Sequence, residues 1–430
     1  MVQSANPASA SAEAAASAAP AAAATAAAAP ATLPHWLLHQ SDWQAGRVAL
    51  RHKRLGVWQQ RSWRQAADEV HRLATALRAS GFGEGATLAI VSRPRPEALL
   101  AALAAQWLGG VAALLDPLEP GAGQIELLRV IEPQAVFAEG LPEIERLQAS
   151  KLALGLVLYA DGRGVASSGP DGLVLADYAQ LALRETDCPW PVQAHAGRAA
   201  FAFYRHGAQG RIEQQRITHA ELLGEGQRLV QAEQLGAQEE ALAARAFAAS
   251  GQARYLLAPW LIAGFCLNFP ENLATRDNDR RELGPTLVAG TRETYGRLHE
   301  LILSRLPQPG SAQRRLVDWA LAKKPGAARK VLGEWLVRRP LRDVIGFTRT
   351  RAPLLVGEPL PADAQAFFAA LGVDVRAWPD PAQWHSPAAA PAAPGTSAAR
   401  VTPAALVAPT TPAAPALPGG SWLGNGAQAA

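Results

Sequence analysis

The chain has 430 residues, 49% of them hydrophobic, with 41 Lys and Arg against 37 Asp and Glu, nine His and two Cys. That length admits two or three domains, while the near balance of charge argues against a nucleic-acid partner: "RHKR" (51–54) and "RDNDRRE" (276–282) are too short or too mixed with acids to track a phosphate backbone. Cys188 and Cys266 are too few for a disulfide framework or a thiolate zinc site, the histidines show no pair at ligand spacing, and no run reaches the roughly 20 apolar residues that span a bilayer, so a reducing, cytoplasmic setting with no transmembrane segment is expected.

Residues 1–33 are rich in Ala, Ser, Thr and Pro with Glu13 as the lone charge, and Pro7, Pro20 and Pro30 interrupt any alanine helix. Few bulky side chains offset the entropy of ordering, so a disordered tail is expected there and again over 386–430, leaving 34–385 as the folded domain. No basic residue precedes the alanine run and no Leu, Val or Phe core follows, so an export signal is not expected.

Within the domain, Ala66, Val70, Leu73 and Leu77 sit at helical spacing over 62–81, with Ser62 and Gln65 as a capping box and Gly81 at the exit. "TLAIVS" (87–92) then reads as a buried strand, the stretch after Pro96 as a helix and "VAALLDP" as a second strand, a βαβ unit with a right-handed crossover. Further strands are expected at 135–139, 152–160, 199–204, 285–290 and 352–357, with helices over 291–305 and 361–371 among those between them. The apolar run "YLLAPWLIAGFCLNF" (255–269) contains Pro259 and Asn268 and reads as a buried segment. Over 310–340, Trp319 and Trp335 lie among arginines and lysines; packed tryptophan with solvated arginine is the expectation, a membrane or partner surface the other reading. The class is α/β with a mostly parallel sheet.

The order of local motifs resembles one family. "ALRHKRLGVWQQRSWRQAADEVHRLATALRASGFGEGATLAIVSRPRPEALLAALAAQWLGGVAALLDP", then "WLIAGFCLNFPEN", "RELGPTLVAGTRETYGRL" and "PLRDVIGFTRTRAPLLVGEPLPADAQAFFAALGVDV", are similar to segments of the adenylate-forming (AMP-binding) superfamily, within it the long-chain fatty acid:CoA ligases, over about 35–385. The resemblance implies that superfamily's large amino-terminal domain, mostly parallel sheets flanked by helices, and a carboxylate-activating reaction that uses ATP and Mg²⁺.

The family's phosphate loop reads Y-T-S-G-T-T-G-x-P-K-G-V and runs into a T-H helix start. Laid on "FYRHGAQGRIEQQRITH" (203–219) without a gap, it matches Tyr204, Gly207, Gly210, Thr218 and His219, while the loop's hydroxyl positions become Arg205, His206, Ala208 and Gln209 and its lysine becomes Glu213. Such a loop works by converging glycine amides, hydroxyl donors and one lysine on phosphate oxygens. Glu213 substitutes repulsion for attraction, with Arg205, Arg211 and Arg216 as the nearest means of restoring positive potential. Gly357 and Glu358 match the "G-E" of the adenine-side loop. The family's Y-G-x-T-E, with its adenine-stacking tyrosine and Mg²⁺-holding glutamate, falls on Pro379 to Gln383, where Asp380 is the one carboxylate.

The sequence also turns to tail composition before the family's small carboxy-terminal domain and its catalytic lysine, so that domain is expected to be absent. The resemblance thus implies a catalytically impaired or inactive homologue serving as a binding or interaction protein. No catalytic residue and no metal ligand is assigned, and Tyr204, Gly207, Gly210, Thr218, His219, Gly357 and Glu358 are the candidate nucleotide-site positions. ATP and Mg²⁺ enter only under the alternative, a residual AMP-forming acid:CoA ligase completed by another chain. Fatty acid or acyl-CoA, accommodated by the apolar segments 255–269 and 285–298, and an intact ligase or a separate carboxy-terminal domain are the expected partners.

Overall fold

In the computed structural model of the protein the described residues are 29–165, 173–184, 190–247, 249–322, 331–381 and 383–387. All but Pro387 belong to one unit that runs to Ser386. Most of both expected tails lies outside the described residues. Thr32 and Leu33, assigned to the first tail by composition, are buried, and Leu33 opens helix α1 (Leu33–Trp43). Composition averages over a window, whereas these two residues follow the helix they introduce into the core.

The chain lays down β1 (Val48–Arg54) and β2 (Val57–Ser62), then crosses to a second sheet. That sheet takes β3 (Thr87–Val91), β4 (Val111–Leu114), β5 (Ala135–Ala138), β6 (Leu156–Tyr159), β7 (Leu175–Asp177), β8 (Ala199–His206) and β9 (Ile212–Thr218). The first sheet is completed by β10 (Glu240–Leu242), β11 (Cys266–Phe269), β12 (Leu287–Gly290), β13 (Ala352–Val356) and β14 (Arg376–Trp378). The strand orders are β14-β13-β12-β10-β11-β1-β2 and β7-β6-β5-β3-β4-β8-β9. Each sheet is parallel except for one hairpin strand at an edge, β2 on β1 and β9 on β8.

Because side chains alternate along a strand, each buried strand serves two layers. Leu88 and Ile90 of β3 face a central layer that holds α1, α2 (Trp63–Ala79), α3 (Pro96–Trp107) and residues 258–263, whereas Ala89 and Val91 face α4 (Gly121–Ile131) and α5 (Leu141–Ala149). In the other sheet Leu354 and Val356 of β13 point to the central layer, and Leu355 to an outer cluster with Tyr295, Leu298 and Phe368. The result is five layers, with both sheets covered on both faces, as parallel strands require. Every residue of α3 is buried, which is why "PEALLAALAAQW" carries no polar face. At the centre Trp63 and Trp260 stack with ring centroids 4.9 Å apart, and Trp260 Nε1 donates to the Ala49 carbonyl at 3.0 Å.

The expected capping box is in place: Ser62 N–H donates to Gln65 Oε1 at 2.8 Å and Gln65 N–H to Ser62 Oγ at 3.2 Å. The run 255–269 is buried nearly throughout, as a π-turn (Ala253–Leu257), a short helix and β11. A second π-turn, Glu334–Arg338, likewise comes just before a proline, here Pro340 as there Pro259; proline has no N–H for the i→i−4 ladder, and a widened turn absorbs the break. β6 is shorter than expected, beginning at Leu156. The helical region 310–340 is a helix (Ala312–Leu321) and a second helical stretch from 331, its middle (323–330) lying outside the described residues. Packed tryptophan fails there for Trp335, which is 64% exposed because its neighbours Gly333 and Val337 take the inward face.

Candidate functional site

The parallel strands of both sheets end in loops, and a doubly covered α/β sheet binds its ligands outside those carboxyl ends. The β8–β9 hairpin is one such place. Tyr204 is buried in the outer layer of its sheet, and beyond it the chain turns through Gly207 and Gly210, the latter at φ +72°. Gln209 also takes positive φ, at +63°. The glycine amides turn inward: Gly207 N–H donates to the Arg211 carbonyl at 2.8 Å and Gly210 N–H to the Gly207 carbonyl at 3.3 Å. An anion would need those donors free.

Glu213 lies against Gly207. A Cβ built on Gly207 would lie 2.3 Å from Glu213 Cδ, so the carboxylate rests directly on the glycine. Nε and Nη2 of Arg205 both stand 2.8 Å from the same Glu213 oxygen, and the Arg205 guanidinium stacks 4.2 Å from the Trp384 ring. Arg211 donates to Gln209 Oε1 at 3.0 Å, and His206 bridges Glu119 and Glu126 at 2.9 and 3.2 Å. Arg205, one of the compensating cations, is thus committed to the acid it would offset.

Thr218 and His219 lie elsewhere. Thr218 pairs with Ala199 at the base of the hairpin, about 20 Å along β9 from the turn at the rise of an extended strand. There Thr218 caps α6 (His219–Ala232) through a capping box with Glu221. His219 is 1% exposed, its Nδ1 accepting from Leu33 N–H at 3.2 Å, and burial pushes its pKa down to about 4. Sequence register groups these residues with the loop; the strand between them takes them to its other end.

Gly357 and Glu358 line a second region, at the carboxyl end of β13. Gly357 has φ +89°, and Glu358 is an exposed carboxylate 3.3 Å from Arg292 Nη1. They border a cavity of ≈ 550 Å³ together with Arg245, Gln252 and Asp380. Asp380 accepts from Ser250 Oγ at 3.1 Å and lies 4.0 Å from Arg254 Nε, and Gly251 lets both it and Val356 come close, since a Cβ there would meet Val356 Cγ1 at 2.4 Å and Asp380 Oδ2 at 3.2 Å. Tyr255 holds the segment down by donating to the Pro379 carbonyl at 2.7 Å, and burial with nearby Glu225 pushes its pKa up to about 12.

Arg245 reaches from this cavity toward the other sheet, 3.5 Å from Asp116 and 3.3 Å from Glu293, and no motif in the sequence marks it. The apolar side chains of 255–269 pack into the central core. A cavity of ≈ 50 Å³ nearby is lined by Arg276, Arg280 and Arg297 as well as by Val288 and Ala289. Among the described residues no three His, Cys, Asp or Glu gather as metal ligands. These residues do not fit a Mg²⁺-bound triphosphate: the two glycine amides of the loop are spent on its own carbonyls, and a carboxylate lies on Gly207.

Residues 37–377 match the family model of the AMP-binding enzymes. No curated protein matches the chain by sequence. Among solved structures, the chain is similar to the adenylation domain of a carboxylate reductase from Mycobacterium chelonae (15% identity, TM-score 0.63, covering 80% of this chain and 57% of that one). A putative long-chain-fatty-acid CoA ligase from Rhodopseudomonas palustris gives 18% identity and TM-score 0.55 over 80% and 73%. The anthranilate CoA ligase AuaEII, in complex with anthranoyl-AMP, gives 17% and 0.59 over 80% and 58%. At these identities the likeness is one of fold, and the chain spans less than two thirds of the first of these structures.

Proposed function

The chain belongs to the AMP-binding enzyme family, and from that premise we propose that it is a catalytically impaired or inactive relative of the long-chain acyl-CoA synthetases, working in the cytoplasm as a binding or interaction protein for fatty acid or acyl-CoA. The observation that carries this reading is the Glu213 carboxylate seated on Gly207 and clasped by Arg205. Loss of the phosphate site removes the means of activating a carboxylate while leaving the five-layer core untouched. Pyrophosphate exchange with ATP, Mg²⁺ and a series of fatty acids tests it: exchange no greater than in a heat-killed control is expected, and exchange clearly above that control overturns it.

A second reading has one observation in its favour. The ≈ 550 Å³ cavity bordered by Gly357 and Asp380 lies at the carboxyl end of β13, where α/β sheets bind their ligands. It fits a residual acid:CoA ligase whose carboxy-terminal domain comes from another chain, an intact ligase included. Adding a separately purified carboxy-terminal domain to the exchange assay distinguishes the two, since only this reading expects the addition to produce turnover.

A further inference from the structure

A helix that is apolar on one side buries that side, and one apolar all round is normally surrounded. The helical stretch 331–344 departs from this. Its inward side, Gly333 and Val337, packs on Ala320 and Val317 of the helix Ala312–Leu321. Its outward side is nevertheless Val331, Leu332, Trp335 and Leu336, which are 61%, 52%, 64% and 58% exposed. Leu316 on the neighbouring helix is exposed as well. Such a cluster of solvated large apolar side chains on one short element marks an interaction surface.

Charge narrows what that surface meets. Between Arg314 and Asp343 the sequence carries nine arginines and lysines against three acids, Asp318, Glu334 and Asp343, in a chain whose whole formal charge is only +4. All three acids are already matched, Asp318 by Arg314, Glu334 by Arg342 and Asp343 by Arg281. Arg339 lies 4.8 Å from the Trp335 ring, with its guanidinium beside the exposed apolar row. Exposed Trp and Leu flanked by cations suit the boundary of an anionic bilayer, where the apolar side chains enter the acyl region and the cations meet lipid phosphates. No described helix is long and apolar enough to cross a membrane, so the contact would be peripheral.

We infer that the outward face of 331–344, centred on Trp335 and Leu336 and flanked by Arg339, docks the protein on an anionic lipid surface. The inference does not depend on the state of the nucleotide site. The test is co-flotation of the full chain with phosphatidylcholine vesicles with and without phosphatidylglycerol. The wild type should float with the anionic vesicles, far less with the neutral ones, and less as salt rises. W335S/L336S should lose about tenfold in bound fraction, and Arg339→Glu should weaken the preference for anionic lipid. Circular dichroism melting identifies any variant that has unfolded; in that case the milder Trp335→Gln takes its place. Equal flotation on both lipids, no flotation of the wild type, or unchanged flotation of a folded variant would each overturn the inference. So would sedimentation showing that the same substitutions abolish a dimer, because the face would then be occupied by a second copy.

Discussion

Replacing Glu213 by lysine restores the charge that a phosphate loop carries and removes the clamp on Gly207. Two unit charges about 5 Å apart at an effective dielectric near 20 interact by about 3 kcal/mol, so the exchange swings a bound phosphate by roughly 6 kcal/mol before screening. The site is open to water, with Glu213 28% and Arg205 51% exposed, which reduces the swing to about 2 kcal/mol, or about thirtyfold in Kd. Losing the half-exposed Arg205–Glu213 pair costs the fold at most about 1 kcal/mol. Calorimetric titration with Mg·ATP should give no saturable heat for the wild type at millimolar ligand, weak binding for Glu213→Ala, which removes repulsion alone, and the tightest binding for Glu213→Lys. Micromolar affinity in the wild type, or a Glu213→Lys variant that binds no better than its parent, would refute the argument that this carboxylate closes the loop.

Other expectations concern the frame. Trp260→Ala empties the stack on Trp63 and should cost about 3–5 kcal/mol, read as a fall in urea midpoint; a loss below about 1 kcal/mol would mean that the central layer is not packed as described. Glu97 is buried between Arg95 and Arg61, each 2.8 Å away, and these arginines hold its carboxyl well below the usual carboxylate range despite the opposing effect of burial. Glu97→Gln leaves the buried Arg95, and the half-buried Arg61 that still pairs with Glu69, facing a neutral amide and should destabilise by about 3 kcal/mol, a larger loss than any exposed pair gives. His219, held by burial at a pKa of about 4 against an ordinary 6.5, stays neutral in the fold while the unfolded chain takes up a proton. Stability should therefore fall as pH drops from about 6.5 to about 4, by about 1.4 kcal/mol per pH unit for this residue, with His52 adding to the same window. His219→Asn keeps an acceptor for the Leu33 amide and removes the titration, so urea midpoints at about pH 7 and about pH 5 should differ less in it than in the wild type; an unchanged difference would assign the effect to other groups.

The legible parts of the fold were those written in local physics. Alternation and short apolar runs locate β3, β4 and β5, and Ser62 with Gln65 fixes the start of α2, because each signal is complete within a few residues. β2 and β9 were not legible. "VWQQRS" and "IEQQRIT" are largely polar edge strands stabilised by the hairpin partner rather than by an apolar face. At the candidate site, Glu213 stands out through the resemblance, as an acid at the position of the family's loop lysine. Its seat on Gly207 does not, since nothing local says that its carboxylate folds back onto the turn.

By itself, then, the sequence determined the α/β class and much of the succession of buried strands and helices, consequences of side-chain chemistry at short range, while the acid at the loop-lysine position was legible only through the family resemblance. Only the tertiary structure decided how the candidate residues are distributed. It divides them among the hairpin turn, the base of the same hairpin and the end of β13 in the other sheet. It also sets Arg245 between Asp116 and Glu293, and leaves Trp335 in solvent. The physical reason is that a strand carries the chain about 3.3 Å per residue and a sheet crossing carries it further still, so closeness in space is fixed by pairing and packing between segments far apart in the chain.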